Sequence, residues 1–90
     1  MLRVGIASYK KNDYPELLKR AVDRDDLDQT WEAWKANTEN LKKNLEKQGL
    51  EVVRVPIDLK KLGRYCRENG LPNNGKTRST YTQELMNEMN

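Results

Sequence analysis

Leu27, Trp31, Trp34, Thr38, Leu41 and Leu45 follow one another at spacings that alternate between four and three residues. That is the apolar stripe of an amphipathic helix, and it predicts a long central helix over 26–48. Asp25, Asp26 and Asp28 stand where carboxylates favour a helix start, Lys47 stands near the end, and Gly49 supplies a left-handed stop. Ahead of this helix, Leu2, Val4 and Ile6 fall on one face at period two, which predicts a short strand over 2–8. Pro15 can open a short helix through "PELLKRAVD", with Leu17, Leu18 and Val22 inward.

Beyond Gly49 the pattern returns to period two. "LEVVRVPID" places Val53, Val55 and Ile57 on one side and Val52, Arg54 and Pro56 on the other. It reads as a strand, and Pro56 puts it at an edge or in a pairing that does not need that N–H, because proline has none for a ladder. Asp58 is a suitable N-cap for "LKKLGRYCREN", whose Leu59, Leu62 and Cys66 form a narrow apolar face. Gly70 ends that helix, and Leu71 follows as its hydrophobic contact. After the polar loop "PNNGK", Thr80 and Gln83 have capping-box spacing, and Tyr81, Leu85 and Met89 repeat at helical spacing. The expected architecture is a helix-rich α+β fold in the order β-α-α-β-α-α, with a small sheet or strand ribbon. Residues 1–90 make one small domain, strand plus helices over 1–49 and strand-helix-helix over 50–90.

Composition narrows the functional classes. Leu, Ile, Val and Phe number only 18 of 90 residues, and 34% of residues are charged. The core is therefore thin, and self-association would add to its stability. There is no histidine and one cysteine, Cys66. That removes the commonest general base, the usual zinc ligand sets and any internal disulfide. No carboxylate pair stands out as a general acid and base, so the expectation is a non-enzymatic protein without cofactor or metal. No apolar run is long enough to span a bilayer. No membrane partner is expected, and the cytoplasm is the default location.

"GLPNNGKT", residues 70–77, matches the phosphate-loop pattern, with Gly75, Lys76 and Thr77 as its chemical end. Such a loop needs a strand before it and a helix after it. Here a helix is expected before Gly70, so a cap at Gly70 and a turn at Gly75 account for both glycines. Nucleotide binding remains a remote alternative.

Charge points elsewhere. The net charge is +3, yet over 54–78 Arg54, Lys60, Lys61, Arg64, Arg67, Lys76 and Arg78 face only Asp58 and Glu68. Lys60, Arg64 and Arg67 share a helical face opposite the apolar one, an arrangement that attracts phosphates. A solvated charged face is the plainer reading of the same residues. Trp31 and Trp34 are candidates for a partner surface, with core packing the stronger reading of their place on the stripe. Cys66, on the apolar face, reads as a buried cysteine.

Residues 51–88, with "VRVPID" leading into "LKKLGRYCRENG" and then "RSTYTQEL", resemble a ribbon-helix-helix DNA-binding domain. The resemblance implies a dimer whose paired strands enter the major groove. It implies that Arg54 reads bases, and that Ser79 and Thr80, with Lys76 and Arg78 nearby, face phosphate at a helix N-terminus. The expected function is thus a small basic nucleic-acid-binding or regulatory protein, with DNA or another polyanion as partner and self-association. The alternative is a protein-interaction or structural module.

Overall fold

The computed structural model describes residues 2–89. It is a helix-rich α+β structure with a small sheet, as expected. Strand β1 (Arg3–Ser8) leads through α1 (Tyr14–Arg20) to the longest helix, α2 (Trp31–Lys47). Strand β2 (Glu51–Pro56) follows, and then α3 (Leu59–Asn69) and α4 (Gly75–Glu88). Single 3-10 turns occupy Lys11–Asp13 and Arg24–Asp26.

β1 and β2 pair within the chain, in parallel, from Arg3 opposite Glu51 to Ser8 opposite Pro56. A parallel pair cannot be closed by a hairpin, so α1 and α2 form the crossover that brings the chain back. Such a sheet is covered on both faces. Gly5 and Val55 meet Gln83 and Met86 of α4 on one side, whereas Arg54 reaches Glu39 of α2 on the other.

This two-sided burial alters the reading of β1. The stripe Leu2, Val4, Ile6 does not face the main core: Leu2 lies outside the strand at 76% exposure, Val4 is half-buried, and Ile6 is half-buried in the cleft with α2. Gly5 is the buried strand residue instead. A Cβ there would stand 3.3 Å from Gln83 Oε1, 3.3 Å from Val55 Cγ2 and 3.4 Å from Met86 Cβ, so α4 approaches β1 closely and a side chain at this position would press on its neighbours.

Helix boundaries follow the caps. α2 begins at Trp31, not near Asp26, because the Thr30 side chain accepts the Ala33 N–H; Asp25 and Asp26 lie in the preceding 3-10 turn. α1 ends at Arg20, which leaves Val22 outside it and 69% exposed. α4 begins at Gly75 with Asn74 as its N-cap, so Thr80 is no cap and Gln83 no box partner. The buried face of α4 runs through Thr77, Arg78, Tyr81, Thr82 and Met86. Met89, in the helical repeat with Tyr81 and Leu85, is 55% exposed. In α3 the Asp58 cap, the Gly70 left-handed end and the buried Leu59, Leu62 and Cys66 all stand as the sequence reads.

No residue of α2 is fully buried. Aromatic packing fastens it: Trp34 meets Tyr9 at 5.4 Å between ring centroids and Tyr14 at 6.0 Å, and Trp31 Nε1 donates to the Tyr9 carbonyl at 2.9 Å. Each such aromatic pair is worth about 0.5–1.5 kcal/mol beyond its area. Trp31 and Trp34 therefore dock α2 onto the end of β1. The outer side of Trp31 is flanked by Lys11 and Lys35, whose Nζ atoms lie 5.9 and 5.1 Å from the ring.

Candidate polyanion-binding surface

α3 turns one face inward and the opposite face out. Asp58 Oδ1 accepts from the Lys60 and Lys61 N–H groups at 2.9 and 3.3 Å, which fixes the start of the helix. Those bonds hold the Asp58 carboxyl below the ordinary Asp value, with the lysine charges adding to the effect. With Leu59, Leu62 and Cys66 inside, Lys60, Lys61, Arg64 and Arg67 are left exposed. None of these four joins a salt bridge among the described residues, although Lys11, Arg20, Arg54 and Arg78 elsewhere each have a carboxylate partner.

The last turn of α1 adds a cation that the spacing of α3 could not disclose. Arg20 reaches across to Gly63 of α3, where its Nη1 and that of Arg67 both come within 3.4 Å of where a Cβ would stand. The sequence carried one hint, a glycine in mid-helix, where alanine would be more stable.

The other expected contact residues lie apart from this face. Arg54 projects to the α2 side of the sheet, paired with Glu39. Lys76 is exposed in the first turn of α4, and Ser79 is exposed but sits fifth in that helix, past the free N–H groups of its first turn. Arg78 is placed differently from its expected role. Its side chain is only 8% exposed, and Nη1 and Nη2 donate to the two Asp23 carboxylate oxygens at 2.9 Å each. Nη1 also donates to the Asn73 carbonyl and Oδ1. The guanidinium points inward because it ties the loop after α1 to the start of α4.

That tie also bears on "GLPNNGKT". Gly70, at φ 61°, closes α3, so a helix and not a strand precedes the loop. Asp23 Oδ2 accepts the Gly75 N–H at 3.0 Å, and Asn74 Oδ1 accepts the Thr77 N–H at 3.0 Å. A carboxylate of the chain itself thus occupies the place where a phosphate would meet the α4 N-terminus. Hydrogen bonds from Arg78 are the main reason that Asp23 titrates below its usual value. Thr77 is buried at 6% exposure, out of reach of a bound metal.

The cleft between α2 and the sheet, lined by Ile6, Ser8, Trp34, Thr38, Lys42 and Arg54, holds about 170 Å³. This cleft is smaller than the roughly 300 Å³ at which sites for drug-sized ligands start, whereas the open groove along Asp13, Glu16, Arg20, Asp58 and Lys60 holds about 490 Å³. Among the described residues no group of three His, Cys, Asp or Glu side chains converges as a metal site, and no helix is long and apolar enough to cross a membrane. Cys66 is buried.

No protein-family model matches the chain, and no curated protein or solved structure was found to be similar to it.

Proposed function

We propose that this chain is a small basic, non-enzymatic protein that binds a polyanion, a nucleic-acid duplex foremost, through the outward face of α3. One observation carries the reading: Lys60, Lys61, Arg64 and Arg67 are exposed on one short helix, and none is neutralised by a salt bridge among the described residues. Phosphate contacts of this kind release counterions, so binding falls as salt rises. Arg54, Lys76 and Ser79 belong to a second, outlying set in this reading, and Arg78 keeps its place beneath the surface.

The test is fluorescence anisotropy of a labelled duplex at about 50 and 200 mM salt, where phosphate contacts show themselves. The protein binds at low salt and releases at high salt. The double change Arg64→Ala and Arg67→Ala weakens binding and makes the log–log salt slope shallower by roughly 0.9 for each phosphate no longer neutralised. A double variant that binds like the parent removes α3 from the assignment.

The open edge of β2 favours a second reading, a protein-interaction module that pairs with a copy of itself. The Glu51 and Ile57 N–H groups donate to the Leu2 and Ser8 carbonyls, so Val52 and Arg54 turn their backbone groups to the other side, where no strand lies among the described residues. Pro56 withholds a third donor there. A pairing along this edge is also what the ribbon-helix-helix reading, a cytoplasmic DNA-binding dimer, requires. Sedimentation velocity over a concentration series separates the readings: a strict monomer that binds duplex leaves the first standing alone.

A further inference from the structure

Gly63 stands in the middle of α3, where glycine is the weaker helix former. The space left by its missing side chain is in use. A Cβ at Gly63 would stand 3.3 Å from Arg67 Nη1 and 3.4 Å from Arg20 Nη1. Two guanidinium groups, one from the next turn of α3 and one from the end of α1, thus reach one notch from two sides. Arg20 is aimed there by Glu16: Nε donates to Glu16 Oε1 at 2.9 Å and leaves the Nη1 end of the fork at the glycine. Arg67 is in no salt bridge among the described residues, and Lys60 lies one turn before Gly63 on the same side.

Two like charges gathered at one exposed point repel each other, and two of the nearby acids are engaged, while Asp13 lines the same groove as Arg20. Glu16 takes the far side of Arg20, and Asp58 caps α3 with its Oδ1 on backbone N–H groups. An anion between the two forks turns that repulsion into two charge-assisted contacts, and planar guanidinium groups suit tetrahedral oxyanions.

We propose that Arg20 and Arg67 form a seat for one phosphate group over Gly63, between α1 and α3. The seat deepens the polyanion reading, on which it rests for its biological ligand: in a duplex the group is a backbone phosphodiester, and in free solution it is inorganic phosphate. The geometry makes the pair act as a unit, distinct from the diffuse attraction of the remaining lysines.

The experiment follows the arginine Nε–Hε signals of the whole chain by NMR during titration with inorganic phosphate, with ionic strength held constant by chloride. The Arg20 and Arg67 signals move together along one saturating curve, while those of Arg24 and Arg64 move little. Gly63→Leu keeps every charge and fills the notch, so it abolishes the saturation; its circular dichroism and melting curve confirm folding. Arg20→Gln leaves all α3 cations in place and likewise abolishes it. Equal, unsaturating movement of all arginines overturns the seat, as does saturation that survives in folded Gly63→Leu. Duplex binding, measured beside it, keeps the two ideas apart. Salt-sensitive duplex binding without a saturating phosphate response refutes the seat and leaves the α3 surface standing. A saturating response without duplex binding establishes the seat and refutes the nucleic-acid reading.

Discussion

Gln83 of α4 holds Gly5 of β1 by both backbone groups: Nε2 donates to the Gly5 carbonyl at 2.8 Å, and Oε1 accepts the Gly5 N–H at 2.9 Å. Leu2 and Ser8 accept bonds from the β2 side, so Gly5 points to the opposite edge of β1. The amide does there what a third strand would do. One side chain thereby blunts an edge that would otherwise be open to pairing.

Gln83→Ala removes both bonds and leaves a half-buried peptide unit unpaired. The expected loss is about 1–3 kcal/mol, read as a lower urea midpoint with unchanged slope. Gln83→Glu at neutral pH is worse than Gln83→Leu, because a carboxylate cannot donate to the Gly5 carbonyl and repels it. Gly5→Ala also destabilises, by about 1–3 kcal/mol, since its Cβ has no slack on the α4 side.

The Arg78–Asp23 pair predicts an acid limb in stability. Asp23 titrates below its ordinary 3.8 in the folded chain, chiefly through its bonds from Arg78. A depressed folded value stabilises the protein above pH 3.8 and loses that contribution as pH falls through the lowered value. Stability of the parent thus falls in strong acid, and Asp23→Asn flattens part of that fall in urea titrations at successive pH values. At neutral pH, Asp23→Ala strands a guanidinium that is 8% exposed. Its cost lies at the lower end of about 3–5 kcal/mol, because Asp23 itself keeps 21% exposure.

All four tyrosines titrate above their ordinary 10 in the folded chain, and burial is the leading cause for each. Tyr9 is pushed up to about 12. A raised folded value adds stability that is complete below pH 10 and lost as pH climbs towards the folded value. Absorbance at the tyrosinate band therefore lags the free-tyrosine curve and rises as the chain unfolds in alkali. A normal titration at pH 10 in a chain still folded by circular dichroism contradicts the burial of Tyr9.

Magnesium ATP at millimolar concentration raises the melting temperature no more in the parent than in Lys76→Ala, because Asp23 already accepts the Gly75 N–H and Thr77 is buried. A ligand that bound the folded chain would raise it by mass action. A rise abolished by Lys76→Ala restores the phosphate-loop reading of residues 70–77.

Local chemistry was legible along the chain. The Asp58 cap, the Gly49 and Gly70 stops, and the inward Leu59, Leu62 and Cys66 depend on neighbours within about one helical turn. The same period exposes Lys60, Arg64 and Arg67 together, so the core of the candidate surface could be read from spacing. The start of α2 was misplaced because the acids at 25–28 imitate a helix opening, whereas the Thr30 hydroxyl makes the cap.

The sequence by itself determined roughly which stretches become helix or strand, though not where α2 and α4 begin, and which face of α3 is basic, since those choices rest on short-range periodicity and capping. Tertiary structure alone decided the rest. A strand covered on both sides has no polar face, so period two could not show that Gly5, and not Leu2, meets the core. Gln83 finds Gly5 across 78 residues and Arg78 finds Asp23 across 55. Arg20 reaches Gly63 only because the fold brings the end of α1 within a side chain's length of α3. Such contacts are fixed when the parallel crossover closes and the helices settle over the sheet, and no local pattern encodes them.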